Sequence, residues 1–266
     1  MLHQALNFLL RDIRVDLSYP LRLPAQIATL CITTVLFFFM GKIIHPQEQL
    51  LQPYGGDYFA FVLLGLALTD ILLVIVSSMG EEIRKGQTLG TIEALLITPV
   101  SPSAILLYSS LYPFAFSCFR ALFYLGLGTL FGAVFHWTHP FLIVALVLLT
   151  LLSFLGIGLF SATFVLLLKQ NSPVSWAIGS LASLFGGVMY PTEVLPGWLQ
   201  WISQILPITH SLRGLRQLML NGAGVDAIRW ELLILCGFAV LCLTGGLVSF
   251  HYGLQIARRQ GSLLHY

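Results

Sequence analysis

Charge is what this sequence has least of. Only 9% of its 266 residues are Asp, Glu, Lys or Arg, against roughly 25% in an ordinary soluble domain. So few charges cannot coat a soluble globule of 29.4 kDa. A hydrophobic content of 57% equally excludes a disordered chain. Thirteen basic against eleven acidic residues leave a net charge of only +2, too little for a nucleic-acid partner. Cysteine is scarce as well. Cys31, Cys118, Cys236 and Cys242 lie inside apolar blocks without C-x-x-C spacing, which suggests neither a disulfide framework nor a metal site. The three lysines, at 42, 85 and 169, never fall in G-x-x-x-x-G-K-[ST], so no P-loop is present to cradle nucleotide phosphates. H-E-x-x-H and G-x-S-x-G are missing too, and the seven histidines lack ligand spacing.

What the chain does have is long apolar blocks. A helix needs about 20 residues to cross a bilayer. Six candidate spans follow: Pro24–Gly41, Tyr58–Met79, Ile105–Gly132, Phe141–Leu168, Pro173–Met189 and Leu232–Tyr252. Runs such as VALVLLTLLSFLGIGLF do not alternate, so the reading is an all-α membrane protein rather than a β-barrel. With the N-terminus inside, Arg11, Arg14, Arg22, Arg84, Lys85, Lys169, Arg258 and Arg259 are cytoplasmic, against Lys42, Arg213, Arg216 and Arg229 outside. The positive-inside bias therefore favours an N-in, C-in topology.

Three segments stand apart from the spans. Residues 2–19 gather Leu2, Leu6, Leu9, Ile13 and Leu17 on one helical face and polar residues opposite. They read as an amphipathic helix along the cytoplasmic interface or a simple orientation anchor, not a cleaved signal. The loop Gly80–Ser103 begins with Glu81, Glu82, Arg84 and Lys85, and then repeats Leu89, Ile92 and Leu96 at helical spacing. Such a face docks in a partner's groove, packs on its own bundle or lies in the headgroups. The extracytoplasmic segment 190–228 is broken by Pro191, Pro196 and Pro207. Two short helices, Thr192–Leu206 and Ile208–Leu220, are expected to dip into the outer leaflet and return, with Trp198 and Trp201 at headgroup level.

Two ionisable residues fall inside spans, Asp70 in the second and Arg120 in the third. Each costs about 2.5–3.5 kcal/mol at a helix centre. A mutual pair is the simplest expectation, serving either the fold or a translocation path. Ser180 and His251 also lie in spans, but small polar residues there more often serve close packing than hydrolysis.

The residues carry a family resemblance. Glu81–Glu82, then Gly90-Thr91-Ile92-Glu93-Ala94-Leu95-Leu96 and Thr98-Pro99-Val100-Ser101, resemble the cytoplasmic loop of ABC-2 type transporter permeases. Gly187-Val188-Met189-Tyr190-Pro191, Leu195-Pro196-Gly197-Trp198, Leu206-Pro207-Ile208-Thr209-His210 and Leu212-Arg213-Gly214-Leu215-Arg216 resemble the re-entrant outer segment of the same family. The resemblance implies one permease half of an exporter in the cytoplasmic (inner) membrane. Two permease copies, expected as a homodimer, would form the path, and two separate ATPase subunits holding ATP and Mg would drive it. The loop would be the coupling helix. Glu93, Glu81 and Glu82 would then meet the ATPase surface while Leu89, Ile92 and Leu96 fill its groove.

Neither a catalytic residue, a metal nor a cofactor of its own is expected of the chain. Phe-rich stretches such as Val35–Phe39 and Tyr112–Tyr124 favour a hydrophobic or amphipathic cargo, such as a drug, a lipid or a lipid-linked molecule. The alternatives are an exporter of polysaccharide, an ion-coupled transporter or channel using Asp70 and Arg120, and an intramembrane hydrolase.

Overall fold

The computed structural model describes residues 11–14, 18–43, 51–90, 102–168 and 173–259. Among these, all regular structure is helical. We number the helices α1 (Arg22–Ile43), α2 (Tyr58–Thr88), α3 (Pro102–Leu130), α4 (Pro140–Leu168), α5 (Pro173–Phe185), α6 (Gly197–Ile205), α7 (Pro207–Met219) and α8 (Val225–Arg259). Short 3-10 turns occupy Gln52–Tyr54 and Thr192–Val194.

Five helices, α1, α2, α3, α4 and α8, are long and apolar enough to cross a membrane. The fifth expected span, Pro173–Met189, is shorter than anticipated. Its helix α5 has 13 residues, about 20 Å at ~1.5 Å per residue, against a hydrocarbon core of about 30 Å. It stops where Gly187 takes a φ of +74°, a conformation that glycine adopts without steric cost.

Helix α2 is the centre of the bundle. Its entry is set by Gly55 and Gly56 at φ +82° and +74°, followed by Asp57, whose carboxylate accepts the Phe59 N–H at 2.9 Å. That is a side-chain N-cap on an otherwise orphaned donor. Phe61, Val62, Leu63, Leu64, Leu72, Val76 and Met79 are fully buried, as expected of a helix that is hydrophobic all round. The helix does not end with the apolar run at Met79. It continues through Glu81, Glu82, Arg84 and Lys85 to Thr88, because these are good helix formers that need water rather than a new fold. The loop expected from Gly80 therefore begins about two turns later. Leu89 forms the C-cap and Gly90 turns at φ +66°.

Helices α4 and α8 form the tightest seam. A Cβ on Gly156 would run into the Cys242 carbonyl, and one on Gly246 into the Gly156 carbonyl. Small residues let membrane helices approach at backbone distance. In α3, Pro113 lies inside the helix, so the Ser109 carbonyl one turn earlier lacks its helical donor.

Candidate functional site

Asp70 on α2 and Arg120 on α3 meet inside the bundle. Arg120 Nε donates to Asp70 Oδ2 at 2.9 Å and Nη2 donates to Oδ1 at 3.0 Å. The planar fork thus satisfies both carboxylate oxygens, the geometry in which an arginine–carboxylate pair is strongest. The side chains remain 30% and 19% exposed for Asp70 and Arg120 respectively, so each also faces open space.

Those spaces are two different cavities. Asp70 lines an open-sided groove of 550 Å³ between α2 and α5, with Leu73, Trp176, Gly179 and Ser180 among its walls. Arg120 lines a vestibule of 870 Å³ bounded by α1, α2 and α3, together with Arg22, Glu81, Glu82, Lys85 and Tyr112. Arg11 and Asp12 close one side of the vestibule. Arg11 pairs with Asp12 at 2.8 Å and approaches Glu82 at 3.7 Å, while Lys85 lies 4.0 Å from Glu82. The hydrogen bond to Asp12 holds Arg11 above its ordinary value.

The segment between α5 and α8 is built around a second arginine. Arg216 on α7 is 3% exposed and donates to the carbonyls of Phe61, Gly187 and Val188 at 3.0, 2.7 and 3.0 Å. Its guanidinium carbon lies 3.3 Å from the centre of the Phe61 ring. Burial pushes Arg216, which lies outside the membrane-spanning helices, down to about 9, with Tyr54 and Glu193 acting in the other direction. It stays cationic at neutral pH. Gly65 supplies the room, since a Cβ there would collide with the Val188 carbonyl. Nearby, Tyr54 donates to Glu193 at 3.1 Å. Arg213 lies 3.6 Å from that carboxylate and donates to Thr192 at 3.3 Å. The 3-10 turn at Thr192–Val194 and helix α7 are thereby fastened to the start of α2.

The expected residues of this segment fall at helix edges. Pro191 precedes the 3-10 turn, Pro196 caps α6, Gly197 begins it and Pro207 begins α7. Proline at a helix start loses nothing, because its missing donor would be unused there. Trp198 and Trp201 are each 71% exposed. Ile208, Leu212, Leu215 and Met219 form the buried stripe of α7, and Arg216, four residues after Leu212, lies on that stripe.

Of the residues expected to contact an ATPase, Glu81 is exposed, Glu82 half-buried, and Leu89 and Gly90 exposed. Thr91, Ile92, Glu93 and Leu96 lie outside the described residues, as do residues 1–10 and 15–17 of the expected interfacial helix, where 11–14 form a helical turn. Ser180 and His251 are not brought together. His251 is hydrogen-bonded to Gln255 on its own helix at 2.9 Å, whereas Ser180 lines the groove beside Asp70.

Residues 9–220 match the family described as ABC-2 type transporter, a stretch that takes in α1 to α7. The chain belongs to the ABC-2 type transporter family. Over 118 residues it is 31% identical to the linearmycin resistance permease protein LnrN of Bacillus subtilis (strain 168), covering 44% of this chain and 30% of that protein. Over 189 residues it is 28% identical to the probable multidrug ABC transporter permease YbhR of Escherichia coli (strain K12), covering 67% of this chain and 50% of that protein. The inner membrane transport permease YadH of Escherichia coli (strain K12) is 25% identical over 186 residues, 69% of this chain and 70% of that protein. The matched part thus spans less than two thirds of LnrN and of YbhR. Family membership and five helices of membrane-crossing length make this ABC-2 transporter a multi-pass membrane protein.

Proposed function

We propose that the chain is the permease subunit of an ATP-driven exporter in the cytoplasmic membrane, moving a hydrophobic or amphipathic cargo outward. In this reading it is a single N-in, C-in domain with α5 as the sixth, short membrane element, and it works as a homodimer with two ATPase subunits that hold ATP and Mg. The family match over residues 9–220 carries the proposal.

The path of force is supported by α2. That helix runs without a break from Tyr58 to Thr88, about 46 Å at ~1.5 Å per residue. It carries Asp70 in its middle and delivers the segment 89–96 at its end. Closure of the ATPase pair displaces the coupling segment, and a rigid helix packed into the bundle passes that shift to the ion pair. A two-state packing, rather than a continuous deformation, converts the shift into access from one side or the other. Glu93 makes polar contact with the ATPase in this account, and Ile92 and Leu96 fill its groove.

Reconstitution with the cognate ATPase tests the reading. ATP-dependent export of a cargo is expected, with Glu93→Ala and Leu96→Asp reducing export while leaving the permease folded. Wild-type export and ATPase binding in both variants overturn the coupling assignment. The placement of Asp70 and Arg120 at the boundary of two cavities favours one rival, an ion-coupled transporter, which would work without ATP.

A further inference from the structure

The two halves of the ion pair face different cavities. Asp70 borders the groove and Arg120 the vestibule, while Val74 and Ser77 border both. One turn of α2 and the Asp70–Arg120 contact are therefore what divides a vestibule of 870 Å³ from a groove of 550 Å³. The contact is a partition.

The groove side has a definite chemistry. Asp70 is the one ionisable residue among the groove's described lining, and Leu73, Val74 and an exposed Trp176 supply apolar and aromatic walls. Gly179 faces Leu73 with no side chain of its own, which keeps the space open. Ser77, Ser175, Ser180 and Ser183 add hydroxyls to the same lining, and a groove that offers one carboxylate, an indole and apolar walls suits a cation with an apolar body, through charge and cation–π attraction together.

We infer that the groove between α2 and α5 takes cationic amphiphiles, and that such a cation replaces Arg120 on Asp70 and so opens the partition to the vestibule. The inference rests on the exporter reading for the direction of transport and names the cargo class of that path. Exchange of one cation for another never leaves Asp70 bare in the low-dielectric interior, which is the costly state. The released guanidinium turns to a vestibule that already holds Glu81 and Glu82. A neutral molecule of the same shape cannot displace Arg120, and an anion is repelled by Asp70.

The test uses the full chain in lipid nanodiscs, with radiolabelled tetraphenylphosphonium as probe and empty nanodiscs subtracted. Triphenylphosphine oxide, similar in bulk but uncharged, is the competitor that should fail. Saturable binding of the cation is expected, weakened about tenfold or more by Asp70→Asn, or roughly 1.4 kcal/mol. Gly179→Leu fills the groove without touching the ion pair and should weaken binding similarly. Arg120→Gln removes the competing cation and should bind at least as tightly as the wild type, a result that a purely structural pair does not produce. Equal binding by Asp70→Asn, equal loss in Arg120→Gln, or competition by triphenylphosphine oxide overturns the inference. Loss of cation binding from the wild type, with ATPase association and ATP-driven transport intact, overturns only this gate. Cation transport that proceeds without the ATPase or ATP overturns the exporter reading instead.

Discussion

Arg120 reaches from α3 to both carboxylate oxygens of Asp70 on α2, closing a two-pronged ion pair at 2.9 and 3.0 Å. Removing one partner leaves the other charge uncompensated in the bundle, at a cost of about 3 kcal/mol. Asp70→Asn and Arg120→Gln should each lower the thermal unfolding temperature of the detergent-solubilised chain. The double exchange Asp70→Arg with Arg120→Asp should recover much of that loss, as read by fluorescence-detected size exclusion after heating. An exchange variant as unstable as either single one would contradict direct pairing.

Arg216 is held by three carbonyls and the Phe61 ring, so its removal strips donors from several buried acceptors at once. Arg216→Ala should cost about 3 kcal/mol or more, since each orphaned buried group costs ~1–3 kcal/mol. Arg216→Lys keeps the charge but lacks the planar fork, and should fall between the two. Thermal unfolding of the three proteins in one detergent gives the order.

Two glycines provide a matched pair. Gly156 abuts the Cys242 carbonyl, whereas Gly237 on α8 has nothing within 4 Å of where a Cβ would stand. Gly156→Ala should force α4 from α8 and destabilise by about 1–3 kcal/mol. Gly237→Ala should be neutral or mildly stabilising, because alanine is the better helix former. Equal effects in a melting comparison would contradict the seam.

Much of this was legible in the residues. The apolar blocks located five membrane-length helices, and the prolines at 191, 196 and 207 located the breaks between the short elements that follow α5. The pairing of Asp70 with Arg120 followed from the cost of a lone charge in a membrane. Helix ends were less legible, because hydropathy marks where the chain leaves the bilayer and not where hydrogen bonding stops. Thus α2 outlasts its apolar run by nine residues, from Met79 to Thr88. The carbonyl cradle of Arg216 was not legible, because Phe61, Gly187 and Val188 lie far from it in sequence and only the fold brings them together. The two cavities were not legible at all, since they depend on how α5 and α3 lie against α2 and no local pattern encodes that.

At the end of α2, Leu89 is exposed and forms the C-cap, directly before the segment proposed to enter the ATPase. Leu96→Asp places a charge in that contact, where a desolvated and unpaired carboxylate is strongly disfavoured. Partner binding should fall at least tenfold with the melting temperature of the isolated permease unchanged. A fall in both would instead assign Leu96 to the permease's own packing.

The central claim is that this ABC-2 transporter is driven through a separate ATPase, and a mild-detergent pull-down of the tagged chain from its native membrane tests it most directly. Mass spectrometry should identify a stoichiometric P-loop ATPase that co-purifies with the wild type and is lost on Leu96→Asp. No such ATPase, in a preparation where other membrane complexes survive, would contradict the account and leave Asp70 and Arg120 to act on an ion path of their own.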